Sequence, residues 1–78
     1  MQDKIIQEMR RLLLIIREKD NFPVCRGCQR ARLVPNEPRL DTYTGEYDVV
    51  MECPNCGYWA PYPLLKLREL AEEEIQPL

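Results

Sequence analysis

Cys25, Cys28, Cys53 and Cys56 are the only cysteines in this chain, and they fall into two C-x-x-C pairs. Two intervening residues let a tight turn aim both sulfurs at one ion. Two such turns brought together complete a tetrahedron. The chain has no histidine, so four thiolates are the only conventional ligand set. One metal ion per chain is therefore expected, held by Cys25, Cys28, Cys53 and Cys56, and sulfur ligands in this arrangement suit zinc or iron. The alternative is a disulfide within each pair, which belongs to oxidising compartments. Gly57 follows the second pair, where a positive φ lets a backbone amide face a thiolate. Gln29 stands at that place after the first pair, and Gly27 lies inside the pair. The first turn is accordingly expected to be the less regular.

Four thiolates leave no open coordination position, so such a metal cannot readily activate water. Histidine, the commonest general base, is missing, as are serine and any glycine-rich phosphate loop. The chain is not expected to be an enzyme.

The elements that must position the cysteines divide the chain into residues 1–22, 23–62 and 63–78. In the first segment a helix is predicted from Asp3 to Lys19. Ile5, Met9, Leu12 and Ile16 recur at helical spacing, flanked by Ile6, Leu13 and Ile15. Asn21 is expected to end it in a left-handed conformation before Pro23. Leu14 lies opposite the main stripe, so this helix, roughly 25 Å long at 1.5 Å per residue, is apolar over more than half its girth. The middle segment reads as short strands and turns. Leu33-Val34 and Thr42-Tyr43-Thr44 precede a turn at Gly45, and Tyr47, Val49 and Met51 then alternate with Asp48, Val50 and Glu52. Tyr58 to Tyr62 adds a short strand. A second helix is predicted from Pro63, at its first position, to Ile75, with Leu64, Leu67, Leu70, Ala71 and Ile75 on its apolar side and Pro77 ending it. Lys66 and Arg68 lie early and Glu72, Glu73 and Glu74 late, against the helix dipole, so this helix needs outside contacts.

From Cys25 to about Tyr62 the chain resembles the zinc-ribbon, or rubredoxin-knuckle, group, on the strength of C-x-x-C followed by C-P-x-C-G with strands between. The resemblance implies a small metal-bound α+β fold: a three-stranded antiparallel zinc ribbon flanked by an N-terminal and a C-terminal helix. Zinc ribbons occur in transcription factors, polymerase subunits, ribosomal proteins, transposases and small phage regulators. Rubredoxins share the knuckles and hold iron. Here the insertion is shorter and their aromatic pattern is not evident, so zinc is the expected ion.

Net charge is −2, which argues against dominant phosphate binding. A local excess of Arg26, Arg30, Arg32 and Arg39 over Glu37 surrounds the first cysteine pair. Two functions follow as expectations. One is an adaptor or regulator that docks on a larger protein assembly, the transcription machinery among the candidates. The other is a nucleic-acid-binding ribbon using Arg26, Arg30 and Arg32 with the aromatics, Trp59 above all. The plainer expectation is that Tyr58, Trp59 and Tyr62 pack around the metal core and that the arginines are solvated or paired. A homodimer through residues 3–19, with Met9 and Leu12 near its centre and Ile16 beside them, is predicted because the ribbon looks too thin to cover the first helix. A partner helix from another protein would satisfy the same physics. The longest apolar run is too short to cross a membrane, and the N-terminus does not read as a signal peptide. A cytoplasmic location is expected.

Overall fold

The computed structural model describes residues 3–73. Helix α1 spans Asp3–Glu18, strands β1 to β4 span Val34–Pro35, Arg39–Asp41, Glu46–Glu52 and Trp59–Pro63, and helix α2 spans Leu64–Ala71. All pairings are antiparallel around the central strand β3. Strand β4 lies along residues 48–52 of β3, so β1 and β2, which pair with 51–52 and 46–48, share its other edge. They are one strand line interrupted at Asn36-Glu37-Pro38. Asn36 still donates to Val50 O at 2.9 Å in the β1 register; beyond it the pairing slips by one residue, a bulge in which Pro38 has no N–H to offer. The sheet is thus three strand positions wide, one of them broken.

Prolines stand at both margins and not in β3. Pro35 and Pro38 lie along the broken edge, Pro61 and Pro63 in β4. Each removes a donor where another strand would add, which blunts both edges.

The hairpin joining β2 to β3 differs from the strand expected at Thr42-Tyr43-Thr44. These residues form the turn itself. Asp41 accepts the Tyr43 N–H on Oδ1 at 2.9 Å, its carbonyl accepts the Gly45 N–H at 2.7 Å, and Gly45 takes φ 73°. The Asp41 side chain offers the backbone a local partner, and that outweighs the β propensity of Thr-Tyr-Thr.

One core serves all three sequence segments. Met9, Leu12 and Ile16 of α1, Val49 and Met51 of β3, and Leu67 and Ala71 of α2 are all buried, with Leu33, Cys25 and Cys53 joining them. Val49 and Met51 take the inner face of β3 as their alternation predicts. Met9, Leu12 and Ile16 are each 0% exposed within the single chain. The cover that a second copy was expected to supply is therefore supplied within the chain, by α2 and the inner face of the sheet, which share one core with α1. Each such Leu or Ile contributes about 1.5–3 kcal/mol on burial.

Both helices end in the same motif. Asp20, at φ 54°, takes the left-handed place expected for Asn21. The N–H of Asn21 reaches Ile16 O at 3.0 Å and that of Asp20 reaches Arg17 O at 3.1 Å. Glu72, at φ 59°, ends α2 in the same way, with Glu73 donating to Arg68 O; both are Schellman closures. This ends α2 at Ala71, short of the predicted Ile75, which lies outside the described residues. Pro63 is the last residue of β4 and the residue before α2, extended at ψ 172°.

With α2 ending at Ala71, Arg68 falls in its last turn, where it suits the dipole, and not early as expected; Glu72 and Glu73, just past the helix, are answered by α1 and the residues that follow it. Lys19 Nζ donates to Ala71 O at 2.9 Å and Asn21 Nδ2 to Leu70 O at 2.6 Å, placing a cation and an amide on its C-terminal carbonyls. Glu72 pairs with Lys19, and Glu73 pairs with Arg11, which also grips Glu8.

Candidate metal centre

Each C-x-x-C segment closes the same knuckle. In the first, Gly27 N–H and Cys28 N–H point at Cys25 Sγ at 3.2 and 3.5 Å, and Gln29 N–H returns to Cys25 O at 3.1 Å. In the second, Asn55 N–H and Cys56 N–H point at Cys53 Sγ at 3.3 and 3.4 Å, and Gly57 N–H returns to Cys53 O at 3.0 Å. Gln29 takes φ 57° where Gly57 takes 82°. The first knuckle therefore matches the second bond for bond, against the expectation that it would be less regular. A left-handed residue is tolerable without glycine where the surrounding bonds over-determine it. The difference appears one step later: Cys25 N–H donates to Ala31 O, six residues on, whereas Cys53 N–H donates to Tyr58 O, five residues on.

Strand β3 ends at Glu52 and delivers Cys53 just beyond it; the Val24–Arg32 bridge closes the first knuckle, and the Val34–Glu52 pairing of β1 with β3 sets the arm that follows it alongside. The four sulfurs lie within 4.8 Å of one another. Cys25 Sγ is 3.5 Å from Cys56 Sγ, and Cys28 Sγ is 3.6 Å from Cys53 Sγ. All four cysteines are free, and these separations far exceed a disulfide bond of about 2.05 Å. They match the edge of a tetrahedron with metal–sulfur bonds of about 2.3 Å, which is about 3.8 Å. The cluster could hold one metal ion and is compatible with a zinc-binding knuckle.

The electrostatics suit a cation. At Cys25 burial opposes ionisation, but the N–H groups of Cys28 and Gly27 together with the Cys56 and Cys53 thiols outweigh it and leave the pKa below the usual thiol value. Cys28 is lowered to about 6, by the Asn55 side chain foremost and then the Arg30 N–H. At Cys56 the Tyr58 N–H favours the thiolate, yet Cys25, burial and the other two sulfurs push the thiol up to about 11. The cluster thus competes for negative charge that a bound cation would neutralise. Asn55 was not singled out from the sequence. Its place inside a cysteine loop, with a short polar side chain, was the available signal.

The other residues flagged in the sequence do not gather into one surface. Arg32 is exposed and donates back to the linker that follows α1, to Asp20 O at 3.0 Å and Phe22 O at 2.7 Å. Arg26 lines a shallow cleft with Tyr58, Tyr62 and Lys66, and Arg30 is exposed. Trp59 is 60% exposed and stands opposite Glu52 across the β3–β4 pair, on the face of β4 away from Tyr62. Trp59 therefore does not pack around the metal core. Met9, Leu12 and Ile16 lie in the core described above.

Among the described residues no helix is long and apolar enough to cross a membrane. No family model, no curated protein and no solved structure matches this chain. What the chain can be assigned to is carried by its own geometry: a small α+β fold of two helices on an antiparallel sheet, with a four-cysteine cluster able to bind a metal ion.

Proposed function

We propose that this chain is a small zinc-ribbon adaptor that docks on a larger protein assembly. The observation that carries the reading is what the surface leaves free. Leu14, Val34, Trp59 and Leu65 are each more than half exposed, at 59%, 52%, 60% and 56%. Several of the arginines that a phosphate backbone would need are committed elsewhere. Arg32 is bonded to the Asp20 and Phe22 carbonyls, Arg39 pairs with Asp48 at 2.8 Å, and Arg11 grips Glu8 and Glu73. Large exposed apolar side chains suit a protein partner, and scattered, internally paired arginines suit nucleic acid poorly.

Zinc is the ion this reading places at the four thiolates. Its role there is structural: it ties the strand line leading from the first knuckle to the end of β3 and leaves no open position for chemistry. The competing reading is a nucleic-acid ribbon, favoured by the cleft in which Arg26 and Lys66 adjoin Tyr58 and Tyr62. Two assays on the zinc-loaded full chain separate them. Retention on DNA and RNA is followed over a salt gradient, and photocrosslinkers at positions 14 and 59 are activated in the native host. Protein adducts with no retention at about 0.15 M salt are expected; tight retention falling steeply with salt refutes the adaptor reading.

A further inference from the structure

Between α1 and β1 runs an open groove of about 780 Å³ that the described residues leave unfilled. One wall is the face of α1 that carries Arg10, Leu13, Leu14 and Arg17, and the opposite wall includes Val34, Pro35 and Pro38. Phe22, Leu33, Asn36 and Glu37 also line it, Glu37 being its one carboxylate. Resting on the adaptor reading, we propose that this groove is the docking site for an amphipathic helix of a partner protein, one bearing acidic residues at either end of its apolar stripe.

The residue order on α1 carries the charge argument. Arg10, Leu13, Leu14 and Arg17 follow the spacing of one helical face, with the arginines about 10 Å apart along the axis. Leu14 is 59% exposed and Val34, across the groove, 52%. Arg17 forms no ion pair among the described residues, and Arg10 pairs only with Glu37, at 3.0 Å, with both side chains well exposed. An exposed pair of that kind contributes little and yields to a better-placed carboxylate. An apolar strip closed at both ends by cations is complementary to an apolar strip closed at both ends by anions.

The same order disfavours a second copy of this chain. Packing the face on itself sets Arg17 against Arg10 in one direction and like against like in the other, which is repulsive either way. The far wall disfavours an extended peptide. Pro35 and Pro38 present no N–H there, so strand addition loses the donors it depends on. A helix asks nothing of the wall's backbone.

The test uses the zinc-loaded full chain and two synthetic helical peptides of about 16 residues, long enough for marginal helicity. They share one apolar stripe and differ in carrying glutamate or lysine at two flanking positions two turns apart. Binding is followed by NMR titration. The glutamate peptide is expected to saturate with a Kd of about 10–100 µM, moving the amides of Leu13, Leu14, Arg17, Phe22 and Val34, and the lysine peptide to bind at least about tenfold more weakly. Arg17→Glu should reverse that preference, and Leu14→Glu should abolish binding of both peptides. Neither side chain is in the core, so the zinc content and fold of both variants should be unchanged. The proposal is overturned if the glutamate peptide shows no saturable binding, if the two peptides bind equally, or if Leu14→Glu has no effect. It is equally overturned if light scattering finds a dimer that Leu14→Glu dissociates, which would give the groove to a second copy. Failure of the peptides with protein adducts still forming through position 59 removes this site and leaves the adaptor reading standing; nucleic-acid retention removes the adaptor reading itself.

Discussion

Gly57 and Gln29 occupy equivalent places in the two knuckles, at φ 82° and 57°, and exchanging their side chains should move stability in opposite directions. A Cβ built on Gly57 meets no heavy atom within 4 Å. Gly57→Ala therefore introduces no clash, and its whole effect lies in the backbone. A left-handed conformation costs an L-residue about 1–2 kcal/mol. Reduced freedom of the unfolded chain returns about 0.4–1 kcal/mol of that. The net is a loss of about 1 kcal/mol, or a fall in Tm of about 4–8 °C for a domain of this size. Gln29→Gly runs the same terms backwards. Its side chain is exposed and makes no hydrogen bond among the described residues, so a gain of about 1 kcal/mol is expected. The assay is thermal unfolding followed by circular dichroism at one fixed excess of zinc, since bound metal makes Tm depend on its concentration. The variant carrying both changes should return close to the starting Tm. The reasoning is refuted if Gly57→Ala is neutral, or if Gln29→Gly destabilises as much as Gly57→Ala does, because the positive φ would then not be what shapes the turn.

Leu12→Ala should cost about 2–5 kcal/mol by opening a core cavity, while Leu14→Ala should stay within about 0.5 kcal/mol; chemical denaturation of the two variants checks the contrast. Zinc binding at such sites is worth on the order of 10–16 kcal/mol, so chelation at neutral pH, or Cys53→Ser, should collapse the sheet signals in an NMR spectrum, and a spectrum unchanged by chelation would deny the metal a structural role. The Tyr47 hydroxyl is buried without a hydrogen-bond partner among the described residues, so Tyr47→Phe should be neutral or stabilising by about 1 kcal/mol in the same denaturation assay. Glu8 is lowered in pKa chiefly by its hydrogen bond to Arg11, as is Glu73. Their contribution is therefore complete above the unfolded value of about 4.3 and is lost as pH falls through the lowered folded values. Arg11→Met should flatten that part of the pH–stability curve relative to the unaltered protein, by a small amount because the pair faces solvent.

The four-cysteine cluster was legible in the sequence because C-x-x-C fixes its own geometry within four residues. The local turn needs no distant partner to aim two sulfurs, and two such turns admit few arrangements other than meeting. The α1 stripe and the alternation in β3 were legible for the same reason: periodicity is a local property. What covers that stripe was not, because sequence shows that a face is apolar without showing what lies against it. Met9, Leu12 and Ile16 read as a surface in want of a second chain, and only the fold shows α2 and the inner sheet face closing over them. The fates of the arginines were likewise decided in three dimensions. Arg32 sits two residues from Arg30 in sequence, yet it folds back onto the carbonyls of Asp20 and Phe22, while the Arg30 side chain makes no hydrogen bond among the described residues. Gln29 shows the limit most plainly. Its intrinsic preference is against a left-handed backbone, and it takes one because the knuckle's hydrogen bonds to Cys25, together with the bridge that follows, leave the chain no other path.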